Sequence, residues 1–443
     1  MKRLVILGAG TGGTVMANLL RKRLRRADWA ITVIDRDNEH YYQPGFLFIP
    51  FGFYTKKDIV KPRSKFLPRG VEFIVAEIDK INPGANEVVF QDGSSLSYDY
   101  LIVATGADIV PSETPGMLDG WRDTIFDFYT PDGATALAEK LKDFPGGTIV
   151  VHINETPIKC PVAPLEFAFF CDWCLVRHHK RDKIELVFVT PLPGAFTKPV
   201  ASKALGRLLE EKRVRMVTDF NAERIDAPAR KLVGYDGREV PYDLLVTVPT
   251  NMGSEMIERS GMGNEFRFLP TDPNTLRSKK YENIFGIGDA TDLPSSKAGS
   301  VAHFQSEILA ENVVRAIEGK PLQPAFDGHS NCFIEAGLGK AILIDFNYEV
   351  EPLPGRFPFP VLGPMPLLKP SRINHWGKLA FRWIYWHVLL RGRPIPFVPA
   401  RMKMAGKKRP ADAGGAGTGG AAESSSSCCC KRKKKSAGTG KIS

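Results

Sequence analysis

The run Gly8-Ala9-Gly10-Thr11-Gly12-Gly13 constrains this chain most, because it lies between an apolar stretch, Leu4 to Leu7, and a segment of helical spacing, Thr14 to Arg26. That order predicts a buried strand, a tight turn and a helix. Gly8 would make the turn, Gly10 would let a pyrophosphate approach the backbone, and Gly13 would let helix and strand pack closely. Ala30 to Ile34 predicts the next strand, with Asp35 at its end to accept from a ribose hydroxyl. A glycine turn alone would be weak; in this context a dinucleotide site outweighs a merely structural turn. Further apolar runs at Leu101–Ala104, Thr148–Ile153, Ile184–Val189 and Leu244–Val248 alternate with helical patterns at Pro131–Leu141 and Leu165–Val176. The fold class expected is α/β, with two Rossmann-like domains, since 443 residues exceed one ordinary core.

The second such turn is different. After Gly147 no glycine occurs from Thr148 through Pro193, and Asn154-Glu155-Thr156-Pro157-Ile158-Lys159-Cys160-Pro161 follows the strand. A pyrophosphate-binding turn needs glycines, so NAD(P)H binding is not expected here, and a thiol occupies the turn instead.

Leu101-Ile102-Val103-Ala104-Thr105-Gly106 and Asn283-Ile284-Phe285-Gly286-Ile287-Gly288-Asp289-Ala290 resemble the second and third FAD signatures of the two-dinucleotide-domain flavoproteins, over Met1 to about Gly339. That resemblance implies FAD, a FAD domain split in sequence, and a cofactor set of Gly8, Gly10, Gly13, Asp35, Thr105, Gly106, Gly288 and Asp289, with Asp289 at the ribityl or phosphate region. Lys159-Cys160-Pro161, Leu165-Glu166-Phe167, Lys297-Ala298-Gly299 and Ser330-Asn331-Cys332-Phe333 further resemble sulfide:quinone oxidoreductases, to about Met404. In that family the residues matching Cys160 and Cys332 face the flavin as a redox pair, and sulfide attack on their bridge leaves a persulfide and a thiolate. The resemblance also places Lys297 and Pro44 beside the flavin and Phe333 against the quinone. Glu166, at the start of a helix, could move protons at the sulfide site or simply favour the helix dipole. The family's third functional cysteine has no counterpart around Asp127-Phe128-Tyr129. Cys171 and Cys174 with His178 and His179 could not converge on a metal from one continuous helix, so no metal is expected.

The net charge of +11 is concentrated at the C-terminus. Residues 352–410 hold twelve Lys and Arg and no Asp or Glu, and the tail beyond them is again basic, leaving residues 1–351 mildly acidic. His375 to Leu390 is aromatic and flanked by arginine but too short to span a bilayer. A helix lying in the interface, with Trp and Tyr at headgroup depth and its cations toward anionic lipid, is expected, and packing against the body is its alternative. No specific nucleic-acid partner is expected, a homo-oligomer stays open, and the short apolar run at Leu4–Ile6 does not suit a cleavable signal peptide.

The divisions expected are 1–110 and 246–350 for the two parts of the FAD domain and 111–245 for the Rossmann-like domain lacking the NAD fingerprint. A quinone and membrane segment at 351–404 and a disordered basic tail at 405–443 would follow. Cys428-Cys429-Cys430 and the adjoining basic run in that tail read as a solvated extension or a lipidation site. The functional expectation is a peripheral membrane enzyme that oxidises sulfide with FAD and passes electrons to quinone. A single-subunit NADH:quinone oxidoreductase, a flavocytochrome c sulfide dehydrogenase-like protein and a non-catalytic flavin-bearing scaffold are the alternatives.

Overall fold

The computed structural model describes residues 1–408. Parallel strands Lys2–Leu7, Trp29–Asp35, Glu72–Val75, Tyr100–Val103 and Ile284–Gly286 form the first sheet, with Ile284–Gly286 beside Tyr100–Val103. Leu4, Val5, Ile6 and Leu7 are wholly buried, as expected of a parallel strand covered on both faces. The chain therefore leaves this sheet after Val103, builds a second one and returns at Ile284.

The second sheet is also parallel and has the order Ile125–Phe126, Leu244–Val248, Gly147–Ile153, Ile184–Val189, Val214–Val217. The expected division at residue 245 cuts through its strand Leu244–Val248; the chain returns toward the first domain only afterwards, where Asn251–Gly253 pairs with Ala107–Ile109.

A third sheet begins with the antiparallel hairpin Ser330–Gly337 and Lys340–Phe346, and adds Met365–Leu367 and Gly355–Phe357. The C-terminal helix Arg372–Ile384 crosses it, its first turn capped by the Ser371 hydroxyl accepting from the Asn374 N–H. A wider π turn, Tyr385–Leu389, continues the helix.

Two expectations about the C-terminal region need correction. Tyr385, Trp386, Leu389 and Leu390 are buried in the core, so the second half of the aromatic segment packs on the body instead of lying at headgroup depth. Residues 405–407 are part of the fold as well: Gly355 and Lys407 form a β-bridge, and the buried Lys407 ammonium pairs with Asp345. The charge that suggested a solvated tail has a partner more than sixty residues earlier in the chain. The Cys428–Cys430 run lies outside the described residues.

Candidate active site

The nucleotide turn has the form its sequence requires. Gly8 has φ +94°, and a Cβ there would lie 2.4 Å from the Ala104 carbonyl oxygen. A Cβ at Gly13 would lie 1.8 Å from the Gly8 oxygen, so helix and strand meet at a distance only glycine permits. A Cβ at Gly10, in contrast, would have no atom within 4 Å, which leaves open space where a cofactor would approach.

Asp35 accepts the Ala9 N–H at 2.6 Å and pairs with Arg63 at 2.6 Å, while burial raises its pKa against the pull of Arg63. Thr105, beside Gly106, has a buried hydroxyl without a protein partner. The Gly288 N–H is taken by Gln305 at 2.7 Å, whereas Asp289 reaches a cavity and has its pKa raised by burial, against Lys297 and Lys159. Open space at Gly10 and an orphaned hydroxyl at Thr105 fit a bound dinucleotide such as FAD.

That cavity has a volume of about 400 Å³ and a largely apolar wall. Pro44, Cys160, Glu166, Asp289, Lys297, Cys332 and Phe333 all line it, so the residues singled out from distant motifs meet around one space. The strand Ser330–Gly337 lies at the edge of its sheet. Its unpaired side borders the cavity, and Cys332 and Phe333 both reach the wall although successive side chains alternate across a strand.

Cys160 arrives from the other direction, at the end of the glycine-free turn. Its φ of +45° is left-handed, uncommon for a residue with a Cβ. Three hydrogen bonds hold it: its N–H donates to the Lys297 carbonyl at 2.7 Å, and its carbonyl accepts the Ala163 N–H at 2.8 Å and the Tyr129 hydroxyl at 3.2 Å. The Lys159 N–H donates to Asn251 Oδ1 at 2.9 Å. Backbone donors that a pyrophosphate would require are thus committed to the protein itself.

Cys160 and Cys332 are both free thiols. Burial pushes both thiols up, Cys332 to about 12, and Glu166 adds to the effect on each.

Glu166 is not a solvent-facing first-turn carboxylate. Both it and Lys378 are buried, and the Lys378 ammonium donates to Glu166 Oε1, which also accepts the Glu335 N–H at 2.7 Å. Burial raises the Glu166 pKa despite Lys378. Burial also opposes the Lys378 charge, but Glu166 and Glu335 outweigh it and hold its pKa above the ordinary lysine value. Lys378, counted from sequence among the lipid-facing cations, instead turns inward, because a carboxylate awaits it there.

Lys297 Nζ donates to the carbonyls of Asp289 at 3.0 Å and Thr291 at 2.6 Å and lies 3.9 Å from the Phe268 ring centre. Burial lowers its pKa to about 8, with Asp289 and Asp292 opposing.

Sequence reasoning missed Lys378, the Glu335–His375 pair, and a junction at Tyr385, whose hydroxyl lies 2.7 Å from both Thr11 Oγ1 and His40 Nε2. Burial, aided by Arg63, lowers the His40 pKa to about 3. Cys171 is buried in the helix Ala163–Arg177, and among the described residues no group of three His, Cys, Asp or Glu side chains is arranged to hold a metal ion.

The family model for pyridine nucleotide-disulphide oxidoreductases matches residues 2–308. The chain belongs to that family.

Among these oxidoreductases, it is 28% identical over 401 residues to the mitochondrial sulfide:quinone oxidoreductase of Dictyostelium discoideum, covering 88% of this chain and 86% of that one. It is 26% identical over 403 residues to the Mus musculus protein of the same name, covering 88% of this chain and 86% of that one. The crystal structure of the Aquifex aeolicus sulfide:quinone oxidoreductase shares the fold, with a TM-score of 0.73 at 23% identity over 89% of this chain and 92% of that one.

Proposed function

We propose that this oxidoreductase oxidises sulfide at the Cys160/Cys332 pair and passes the electrons through FAD to a quinone. The convergence of two thiols, a buried carboxylate–lysine pair and Phe333 on one apolar cavity carries this reading. The names of the similar proteins supply the substrate and acceptor.

When the pair is oxidised, sulfide attack breaks the disulfide, forms a new sulfur–sulfur bond as a persulfide on one cysteine and releases the other as a thiolate. FAD, when bound, supplies the two-electron store between the thiols and the quinone. Gly8, Gly10, Gly13, Asp35, Thr105 and Asp289 would hold it. The Lys297 cation would stabilise negative charge near the cavity, and Phe333 offers an aromatic face for the quinone ring. The apolar wall excludes water from the reactive sulfur.

Quinone access favours a peripheral membrane site. Ile373, Trp376, Leu379 and Trp383 are 40%, 69%, 41% and 63% exposed and follow helical spacing along one face of the C-terminal helix, whose buried side carries Asn374 and Lys378. Among the described residues no helix is long and apolar enough to cross a membrane. Gly377, Lys378, Ala380, Phe381 and Ile384 of the same helix line the cavity, so lipid contact through its exposed face would bring the cavity close to the acyl chains that dissolve a quinone.

The reading is tested by titrating the FAD-loaded protein with sulfide without oxygen, with NADH as control. Sulfide should bleach the flavin and decylubiquinone restore it; bleaching by NADH instead would refute the assignment.

A further inference from the structure

We propose that Tyr385 is a positioning residue for the flavin: through His40 and Thr11 it holds the Gly8–Gly13 turn ready for the cofactor, so that FAD retention depends on the C-terminal segment. This rests on the reading of that turn as the FAD site.

Four of the six residues from Gly8 to Gly13 are glycine, the residue that loses most freedom when it is ordered. The turn is fixed from outside at the other two, Ala9 and Thr11. The Ala9 N–H donates to Asp35, and the Ala9 carbonyl accepts the Thr14 hydroxyl at 2.9 Å and faces His40 Nδ1 at 3.1 Å. His40 Nε2 in turn lies 2.7 Å from the Tyr385 hydroxyl, and that hydroxyl lies 2.7 Å from Thr11 Oγ1.

The direction of these bonds follows from their ends. A carbonyl only accepts, so Nδ1 carries the His40 proton. The ring is neutral, its pKa lowered to about 3 chiefly by burial, which leaves Nε2 as an acceptor. Tyr385 therefore donates to His40 and, with its single proton spent, accepts from Thr11. The chain of donors runs from Thr11 through Tyr385 and His40 to Ala9, and closes on the turn where it began.

That closure bears on the cofactor. The N–H groups of Thr11, Gly12 and Gly13 open the first helix, and among the described residues none of them has an acceptor. Such groups receive a pyrophosphate. Anchoring Ala9 and Thr11 on either side of Gly10 aims them before the cofactor arrives, which lowers the ordering cost of binding. Tyr385 is 2% exposed and opens the π turn that continues the C-terminal helix, so its hydroxyl reaches Thr11 only while that helix is seated. A Cβ at Gly299, which starts the helix Gly299–Ile317, would lie 3.8 Å from the Tyr385 ring and 3.9 Å from the Thr11 methyl, so the C-terminal segment is packed where the two helices begin.

The experiment dilutes full-chain, FAD-loaded protein into flavin-free buffer and follows FAD release by its fluorescence, in the wild type, Tyr385→Phe, Thr11→Val, Thr11→Ser and the double variant Tyr385→Phe with Thr11→Val. Tyr385→Phe and Thr11→Val should each release FAD about 10-fold faster, the loss of one buried hydrogen bond. Thr11→Ser keeps the hydroxyl and should release at close to the wild-type rate. The double variant should release no faster than the faster single variant, because both changes break the same chain. A merely structural Tyr385 would give accelerations that multiply. Multiplied accelerations, or release at the wild-type rate in Tyr385→Phe, would overturn the proposal. Should Tyr385→Phe fail to fold, equal release from Thr11→Val and Thr11→Ser would overturn it too. A wild type that binds no FAD would instead overturn the reading of the turn itself.

Discussion

The backbone N–H of Cys160 donates to the carbonyl of Lys297 at 2.7 Å, binding the glycine-free turn of one Rossmann-like sheet to the segment that follows Asp289 in the other. Lys159 and Lys297 pair there as a β-bridge. The glycine-free turn is thereby closed onto the segment around Lys297, and its cysteine lines the cavity.

Thiol reactivity follows from burial. With Cys332 pushed up to about 12, about one molecule in 10⁴ carries its thiolate at pH 8. Alkylation of Cys332 by iodoacetamide, quantified by mass spectrometry of the reduced protein, should be slow and rise about tenfold per pH unit between pH 8 and 10. A plateau above pH 8 would contradict this.

Lys297 supplies a pH dependence of opposite sign to a carboxylate. Its pKa is lowered to about 8 by burial, so its positive charge is present below that pH and lost above it. Stabilisation of the reduced flavin should weaken as pH rises through about 8, seen as a break in the flavin midpoint potential against pH. Lys297→Met should remove the break and Lys297→Arg should move it out of range.

Glu166 and Lys378 should be coupled in stability. Lys378→Met leaves a buried carboxylate without its cation and should cost about 3–5 kcal/mol. Glu166→Gln combined with Lys378→Met should cost clearly less than the two single changes together, as measured by urea unfolding in a double-mutant cycle. Additive costs would show that the pair is not coupled.

Membrane binding should reside in the exposed face of the C-terminal helix. Trp376→Ser with Trp383→Ser should weaken binding to anionic vesicles by on the order of 10-fold or more, at an unchanged Tm, because both rings already face solvent. Deleting everything after Pro370 would be a poor substitute. It would also remove Lys378 and Tyr385, whose buried side chains bond to Glu166 and Thr11 of the body.

How much of this was legible in the sequence depended on whether a residue's partner was local. Gly8 and Gly13 announce the tight turn because strand, turn and helix are contiguous, and Cys160 and Cys332, which meet at one cavity, could be singled out because each sits in a short motif. Lys378 was not legible: it lies in a stretch free of acidic residues, and its partner Glu166 is 212 positions away. Tyr385 likewise looked like an interfacial aromatic until Thr11 and His40 were found at its hydroxyl. Lys407 looked like tail charge until Asp345 was found beside it. A side chain whose character is set by one distant partner carries no periodicity or spacing that reveals it.

The most direct test of sulfide oxidation through the thiol pair is flavin reduction by sulfide in Cys332→Ser, compared with the wild type under anaerobic rapid mixing. Rapid bleaching in the wild type and a loss of about 100-fold or more in Cys332→Ser, with FAD still bound, is the result expected. Bleaching of Cys332→Ser at the wild-type rate would contradict it.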